Sequence, residues 1–251
     1  MTRIGIQLHP QHCSIDDLRT AWRGADALGV DSIWTWDHFY PLYGDEAGNH
    51  FEGWSLLAAM ACETSNAKLG LLVGCNSYRN PELVADMART IDHLSGGRLY
   101  LGLGAGWFER DYDEYGYDFG TPGSRLAAFR DALPRYKSRL ASLTPGPIGD
   151  LPILIGGGGE KKTLRYTAEF ADAWNSFGPP ETYAHKNQVL TNWCHEIGRD
   201  PAEIERTILI NASETDQFDA FIEAGAEHII LGVSSPFDLD GVQALLDRAR
   251  A

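Results

Sequence analysis

Thr90-Ile91-Asp92-His93-Leu94-Ser95-Gly96-Gly97-Arg98-Leu99-Tyr100-Leu101-Gly102-Leu103-Gly104-Ala105-Gly106-Trp107 is the stretch from which the fold is read. Its first part closes a helix-like segment whose apolar residues, Leu83, Met87, Ile91 and Leu94, recur at three and four spacing. Leu99 to Leu103 then reads as a short buried strand, and Gly104-Ala105-Gly106-Trp107 as the loop leaving it. A helix, a strand and a small-residue loop in that order make one unit of a parallel sheet.

The same unit recurs on both sides. Eight strand candidates alternate with amphipathic stretches: Arg3 to Leu8, Ser32 to Trp36, Lys68 to Val73, Leu99 to Leu103, Pro152 to Ile155, Ala173 to Ser176, Thr207 to Ile210 and His228 to Gly232. Helix starts are legible at Ser14, ahead of Ile15-Asp16-Asp17, and at Asn80-Pro81-Glu82, where proline occupies the first turn at little cost. Eight βα units in 251 residues predict a (β/α)8 TIM-type barrel folding as a single domain over residues 1–251. An open doubly wound sheet shows much the same alternation. The strand-poor stretch Gly106 to Asp150 holds an acidic run from Asp111 to Tyr115, a helix near Ser124 to Leu140 and the turn Thr144-Pro145-Gly146-Pro147, and reads as an elaborated βα loop.

Composition narrows the function. The net charge is -14, from 35 acidic and 21 basic residues, so the surface repels phosphate backbones and anionic lipid. Nucleic-acid and membrane-surface roles are disfavoured, and no apolar run approaches the roughly 20 residues of a membrane span. The N-terminus, Met1 to His9, carries no export signal pattern. Cys13, Cys62, Cys75 and Cys194 lack C-x-x-C spacing and read as reduced thiols of a cytoplasmic protein.

Residues just past the C-terminal end of each barrel strand face the active site. Strand one delivers His9-Pro10-Gln11-His12, strand two Asp37-His38, strand three Gly74-Cys75-Asn76, strand four Gly104-Ala105-Gly106-Trp107 and strand five Gly156-Gly157-Gly158-Gly159. The last run leads into Glu160-Lys161-Lys162-Thr163 at a helix start, where free N–H groups and the helix dipole suit a phosphate. It reads equally as a tight βα turn. Gly102 to Gly106 has the spacing G-x-G-x-G, which fails the dinucleotide fingerprint. It either lets a flat ring approach the backbone or serves turn geometry, with Trp107 filling the rim.

Asp37-His38 pairs a carboxylate with an imidazole that can act as acid or base, or forms an ordinary loop hydrogen bond. His9, His12 and Asp37 could ligate a metal, and Asp111, Asp113 and Glu114 a hard cation, but the histidines lack H-E-x-x-H context and the acidic run reads as a solvated loop. No G-x-S-x-G elbow occurs. Trp22, Trp34 and Trp54 read as core or interface residues.

Several segments together resemble the luciferase-like monooxygenase superfamily, whose members use flavin mononucleotide (FMN) or the deazaflavin coenzyme F420. They are Ile33-Trp34-Thr35-Trp36-Asp37-His38-Phe39, Leu69 to Val73 with Tyr78-Arg79-Asn80-Pro81, and above all Thr90 to Leu99 running into Leu101 to Trp107. The resemblance spans most of the chain, and its Trp-Asp-His-Phe and Gly-Ala-Gly-Trp segments look more like the deazaflavin-dependent oxidoreductases than bacterial luciferase.

It implies a luciferase-like barrel with the ring over the ends of strands two to four. Asp37 would bond the ring's polar edge, the backbone from Leu71 to Asn76, including Leu72 and Gly74, would lie beneath it, and Gly104, Ala105, Gly106 and Trp107 would flank it. Gly157, Gly158 and Gly159 would take the phosphate, and a non-proline cis peptide would fall around Leu71 to Val73.

The implied activity is hydride transfer between F420 and a small organic substrate, with His38 as proton donor and FMN-dependent monooxygenation as the alternative. Trp107 stands where sugar-phosphate dehydrogenases of the class carry an acid, which puts glucose-6-phosphate oxidation in doubt, and the short chain implies an open pocket. The resemblance also implies a homodimer paired through early helices, with Trp22 and Trp54 compatible with that. Two other classes stay open: a sugar-phosphate isomerase or aldolase, opposed by the absence of a glycine cradle after strands seven and eight, and a cofactor-binding protein without catalysis.

Overall fold

The computed structural model describes residues 1–251 and contains nine parallel strands: β1 (Arg3–Leu8), β2 (Ser32–Thr35), β3 (Lys68–Leu71), β4 (Gly74–Cys75), β5 (Leu99–Gly104), β6 (Ile153–Gly156), β7 (Ala173–Ser176), β8 (Glu205–Ile210) and β9 (His228–Val233). The sheet runs β3-β2-β1-β9-β8-β7-β6-β5, and a β3–β5 pairing closes it into a barrel. Short β4 also pairs with β5 and continues the third stave after a break. The doubly wound alternative is thereby excluded, since an open sheet keeps two edges.

The break has a steric cause. Leu69 lies opposite Leu99 but Gly74 lies opposite Leu103, so the third stave carries one extra residue and bulges. A Cβ on Gly102 of β5 would fall 1.9 Å from the Leu71 carbonyl oxygen, so only glycine admits this approach. From inside the barrel Gln7 Nε2 donates to the Leu72 carbonyl at 2.8 Å. The Leu72-Val73 peptide bond is cis, within the segment where the resemblance placed one.

Nine α-helices ring the barrel. Those that bear on the site are α1 (Ile15–Leu28), α2 (Gly53–Glu63), α3 (Pro81–Ser95), α4 (Glu109–Tyr115), α5 (Pro122–Ser142), α6 (Thr163–Phe170) and α7 (Pro180–Ile197). Ser14 caps α1 in a reciprocal box with Asp17, and Asn80 caps α3 with Pro81 in its first turn, as the sequence predicts. The buried face of α3 differs from the expected stripe. Leu83 and Leu94 are 52% and 48% exposed, whereas Val84, Ala85, Ala88 and Ile91 are buried. Small alanines let α3 sit close to the barrel, which turns the larger leucines outward.

Trp22, Trp34 and Trp54 are all buried within this chain. Trp22 and Trp54 therefore present no surface to a second copy, and the homodimer loses that support. No helix is long and apolar enough to cross a membrane.

The N-terminal end of the barrel is closed by a chain of buried polar groups. Trp34 Nε1 donates to Ser32 Oγ at 2.6 Å, Ser32 meets His228 Nε2 at 2.8 Å, and His228 Nδ1 meets Glu205 Oε1 at 2.7 Å. Glu205 also accepts from Tyr100 Oη at 2.8 Å and pairs with Arg3 at 2.9 Å. An indole only donates, so the Ser32 hydroxyl accepts from Trp34 and keeps its proton and its second lone pair for His228 Nε2.

The order Ser32, His228, Glu205 is that of a hydrolytic triad, yet Ser32 is fully buried at the end opposite the mouth. The chain is a structural plug. Burial works to raise the Glu205 carboxyl, but the hydrogen bond and charge of His228, with Arg3 and Tyr100, hold it below the ordinary value.

Glu205→Ala leaves three donors without their acceptor, and the expected loss is on the order of 3 kcal/mol in urea unfolding. Because the carboxyl is held low, its contribution is present above the usual carboxylate range and fades as pH falls through its lowered value. A Glu205→Ala penalty that grows on acidification contradicts this account.

Candidate active site

At the C-terminal mouth, β2 hands the chain to Asp37 and His38. His38 Nδ1 lies 2.7 Å from Asp111 Oδ2, and the ring keeps 13% exposure. Nε2 has no hydrogen-bond partner within the chain. Aromatic edges surround the ring: Trp36 at 6.1 Å, Trp107 at 5.7 Å and Phe108 at 5.4 Å. Asp111 is fully buried near the start of α4, where it also accepts from Phe39 N at 3.0 Å and Tyr78 Oη at 2.8 Å. The expectation of a solvated acidic loop is thus corrected. The run folds as α4, whose buried face carries Asp111 and Tyr112 and whose outer face carries Asp113 and Glu114.

Asp37, expected at the edge of a bound ring, is 1% exposed and fully engaged. Arg79 Nη1 forks onto both its oxygens at 3.0 and 2.8 Å, and Cys75 N donates to Oδ2 at 2.9 Å. Arg79 Nη2 reaches Glu52 Oε1 at 2.8 Å, and Glu52 caps α2. Burial pushes the Asp37 carboxyl up, against the pull of Arg79 and the Cys75 N–H. In this conformation Asp37 anchors the loop after β4 and offers no free oxygen to a ring.

His9, His12 and Asp37 do not converge either. His9 meets Ser234 Oγ at 2.8 Å and stacks on Trp36 at 4.4 Å, while His12 Nε2 meets the Tyr43 carbonyl at 2.7 Å. Burial lowers His9 to about 4.

The third and fourth stave ends form one shelf. Asn76 N donates to the Gly104 carbonyl at 2.9 Å, and the Asn76 side chain accepts from Tyr136 Oη at 3.0 Å. Leu72 and Gly74 are buried, whereas Val73, Cys75, Ala105 and Gly106 are only half-buried. Small residues make the room. A Cβ on Gly104 would lie 2.7 Å from Val73 Cγ2, one on Gly156 would lie 2.9 Å from Val73 Cγ1, and one on Gly106 would collide with Tyr112 Oη. Val73 therefore stands as an apolar post among glycines. Trp107 projects at the rim beside His38, 64% exposed.

The glycine loop after β6 borders the shelf through Gly156. Gly157 takes φ +126, a conformation that favours glycine. Its N–H is spent on the Asn175 carbonyl at 2.9 Å, while the Gly158 and Gly159 N–H groups have no backbone acceptor. Around Gly158 lie Ser176 Oγ and the Lys186 side chain. Lys186 Nζ and His185 Nε2 both reach Glu160 Oε1. Free donors, a hydroxyl and an ammonium make an anion cradle.

The shelf, the imidazole nitrogen of His38 without a partner in the chain and the cradle could together hold an extended cofactor with one anionic end. Val73 and its glycines fit a flat ring system, and Gly158, Gly159, Ser176 and Lys186 fit a phosphate. The match to the family model described as luciferase-like monooxygenase covers residues 1–250, and the chain belongs to that family.

Among curated relatives, it is 27% identical to phthiodiolone/phenolphthiodiolone dimycocerosates ketoreductase of Mycobacterium tuberculosis, over 86% of this chain and 66% of that one. The chain thus spans just under two thirds of that relative's length. Its fold matches that of an F420-dependent secondary alcohol dehydrogenase in complex with an F420-acetone adduct, with a TM-score of 0.87, 19% identity and 96% coverage of both chains. It also matches the FMN-bound oxygenating constituent of 3,6-diketocamphane monooxygenase of Pseudomonas putida, with a TM-score of 0.75, 14% identity and coverage of 98% and 95%.

Proposed function

We propose that this oxidoreductase transfers a hydride between coenzyme F420 and a small carbonyl or alcohol substrate at the barrel mouth. The observation that carries the reading is His38: an imidazole held by a buried carboxylate, its other nitrogen unengaged, next to a glycine-lined shelf. The F420-acetone adduct of the dehydrogenase neighbour and the ketoreductase name of the curated relative support it.

Bound at the shelf, the deazaflavin supplies or accepts the hydride. Everything else falls to the chain's own residues. Val73, with the backbone of Leu72, Gly74 and Asn76, would back the ring, and Gly104, Ala105 and Gly106 would let it approach. Gly158 and Gly159 would offer N–H groups to the phosphate, with Gly157 setting their direction, and Lys186, paired with Glu160 in this structure, would turn to the phosphate charge. Trp107 and Phe108 stand edge-on to the His38 ring and border the substrate side. His38 Nε2 gives a proton to the substrate oxygen as a carbonyl is reduced and takes it back in the reverse direction. Asp37 serves through Cys75 and Arg79, holding the shelf in place.

Titrating the purified protein separately with F420 and with FMN, followed by cofactor fluorescence, tests this reading. F420 is expected to bind and FMN to bind at least about tenfold more weakly, a gap of about 1.4 kcal/mol. Preferential binding of FMN moves the chain to oxygen chemistry of the kind named for the camphane monooxygenase. Binding of neither removes the cofactor site.

A further inference from the structure

We propose that Asp111 is the positioning residue of the site, setting which nitrogen of His38 handles the proton. This rests, for its catalytic consequence, on the hydride-transfer reading above. An ionised carboxylate can only accept hydrogen bonds. Asp111 Oδ2 receives His38 Nδ1 at 2.7 Å and Tyr78 Oη at 2.8 Å, and Oδ1 receives Phe39 N at 3.0 Å. His38 Nδ1 must therefore carry a hydrogen. In the neutral ring Nε2 is then the lone-pair nitrogen, and in the charged ring it holds the exchangeable proton.

Three features make the assignment stringent. Asp111 is fully buried, so water offers no competing partner. It is held from two other directions, by the β2 loop through Phe39 and by the loop after β4 through Tyr78. The His38 ring is hemmed by Trp36, Trp107 and Phe108, which limits rotation about its own axis. The dyad thus joins α4 to the strand-two loop and leaves one nitrogen free, in the way a buried aspartate orients the base of a hydrolytic triad.

The test begins on the cofactor-free protein, with nitrogen NMR of 15N-histidine-labelled chain, His38 assigned by loss of its signals in His38→Gln. Under conditions where the ring is neutral, wild-type His38 is expected as the Nδ1–H tautomer. In Asp111→Asn the amide can present N–H to Nδ1, and His38 is expected to switch to Nε2–H. A wild-type ring protonated at Nε2, or no switch in Asp111→Asn, overturns the proposal. Should Asp111→Asn not fold, the wild-type tautomer decides by itself.

With F420 and substrate, Asp111→Asn is expected to lower kcat by on the order of a hundredfold or more, with KM and cofactor affinity unchanged. A rise in KM at constant kcat overturns the positioning role. The two readings fail separately: absent F420 binding counts against hydride transfer, whereas the tautomer measurement needs neither cofactor nor turnover.

Discussion

His38→Ala is expected to lower kcat by about a hundred- to ten-thousandfold, the range that a well-placed proton donor supplies. Cofactor binding should be nearly untouched, because the shelf and the anion cradle are built from other residues: Val73, the glycines of β5 and of the loop after β6, and Lys186. The fold should also hold, since His38 is partly exposed at the mouth and its ring fills no core position. Steady-state kinetics with F420 and a panel of ketones and secondary alcohols, beside fluorescence titration of the same variant, separates the outcomes. Turnover within about threefold of wild type would falsify the acid–base role, since general acid–base catalysis is worth far more than that. Loss of cofactor affinity together with kcat would make His38 a ring contact instead.

Arg79→Met should have the largest effect on stability, about 3–5 kcal/mol in urea or guanidinium unfolding. It keeps the volume of the side chain but removes the only cation on Asp37, a carboxylate with 1% exposure. It also frees Glu52 from the site, although Glu52 retains the backbone N–H groups of Trp54 and Ser55 as the cap of α2. The sign of the pH dependence follows from burial. The Asp37 carboxyl is already pushed up in the wild type and is raised further when Arg79 is gone. A carboxyl with a raised pKa contributes most to stability when protonated, so the Arg79→Met penalty should be smallest in acid and grow as pH rises through the raised value. A penalty that is flat with pH, or below about 1 kcal/mol, would mean that the pair is not dry.

The positions of both residues show how legible the site was. Every strand except the two-residue β4 was marked by a short apolar run bounded by polar or glycine residues; two of the eight candidates kept their ends and six needed them moved by only one or two residues. The strand ends put His38, Asn76, Gly104 to Trp107 and Gly157 to Gly159 at the mouth because a parallel barrel allows no other place for them. The partners were another matter. Asp111 sat in a run of charges, where solvation is the ordinary reading of a carboxylate; only the packing of α4 on the strand-two loop buries it. Asp37 carries the same residue type one position before His38, yet its carboxylate turns to Arg79. Lys186 lies 28 residues beyond Gly158, which it approaches, in a helix whose sequence gives no sign of a phosphate.

What the sequence determined by itself was the order of elements, the count of eight βα units, the family and the set of residues delivered to one end of the sheet. These follow from periodicity and local backbone preference, which act over a few residues; closure came with the β3–β5 pairing. The tertiary structure alone decided which of two adjacent side chains, Asp37 or His38, faces the mouth, which carboxylate orients the imidazole, and which amine closes the anion cradle. Those choices are made by contacts between residues 26 to 73 positions apart, where burial strips water from charged groups and leaves them only the partners that the fold brings near.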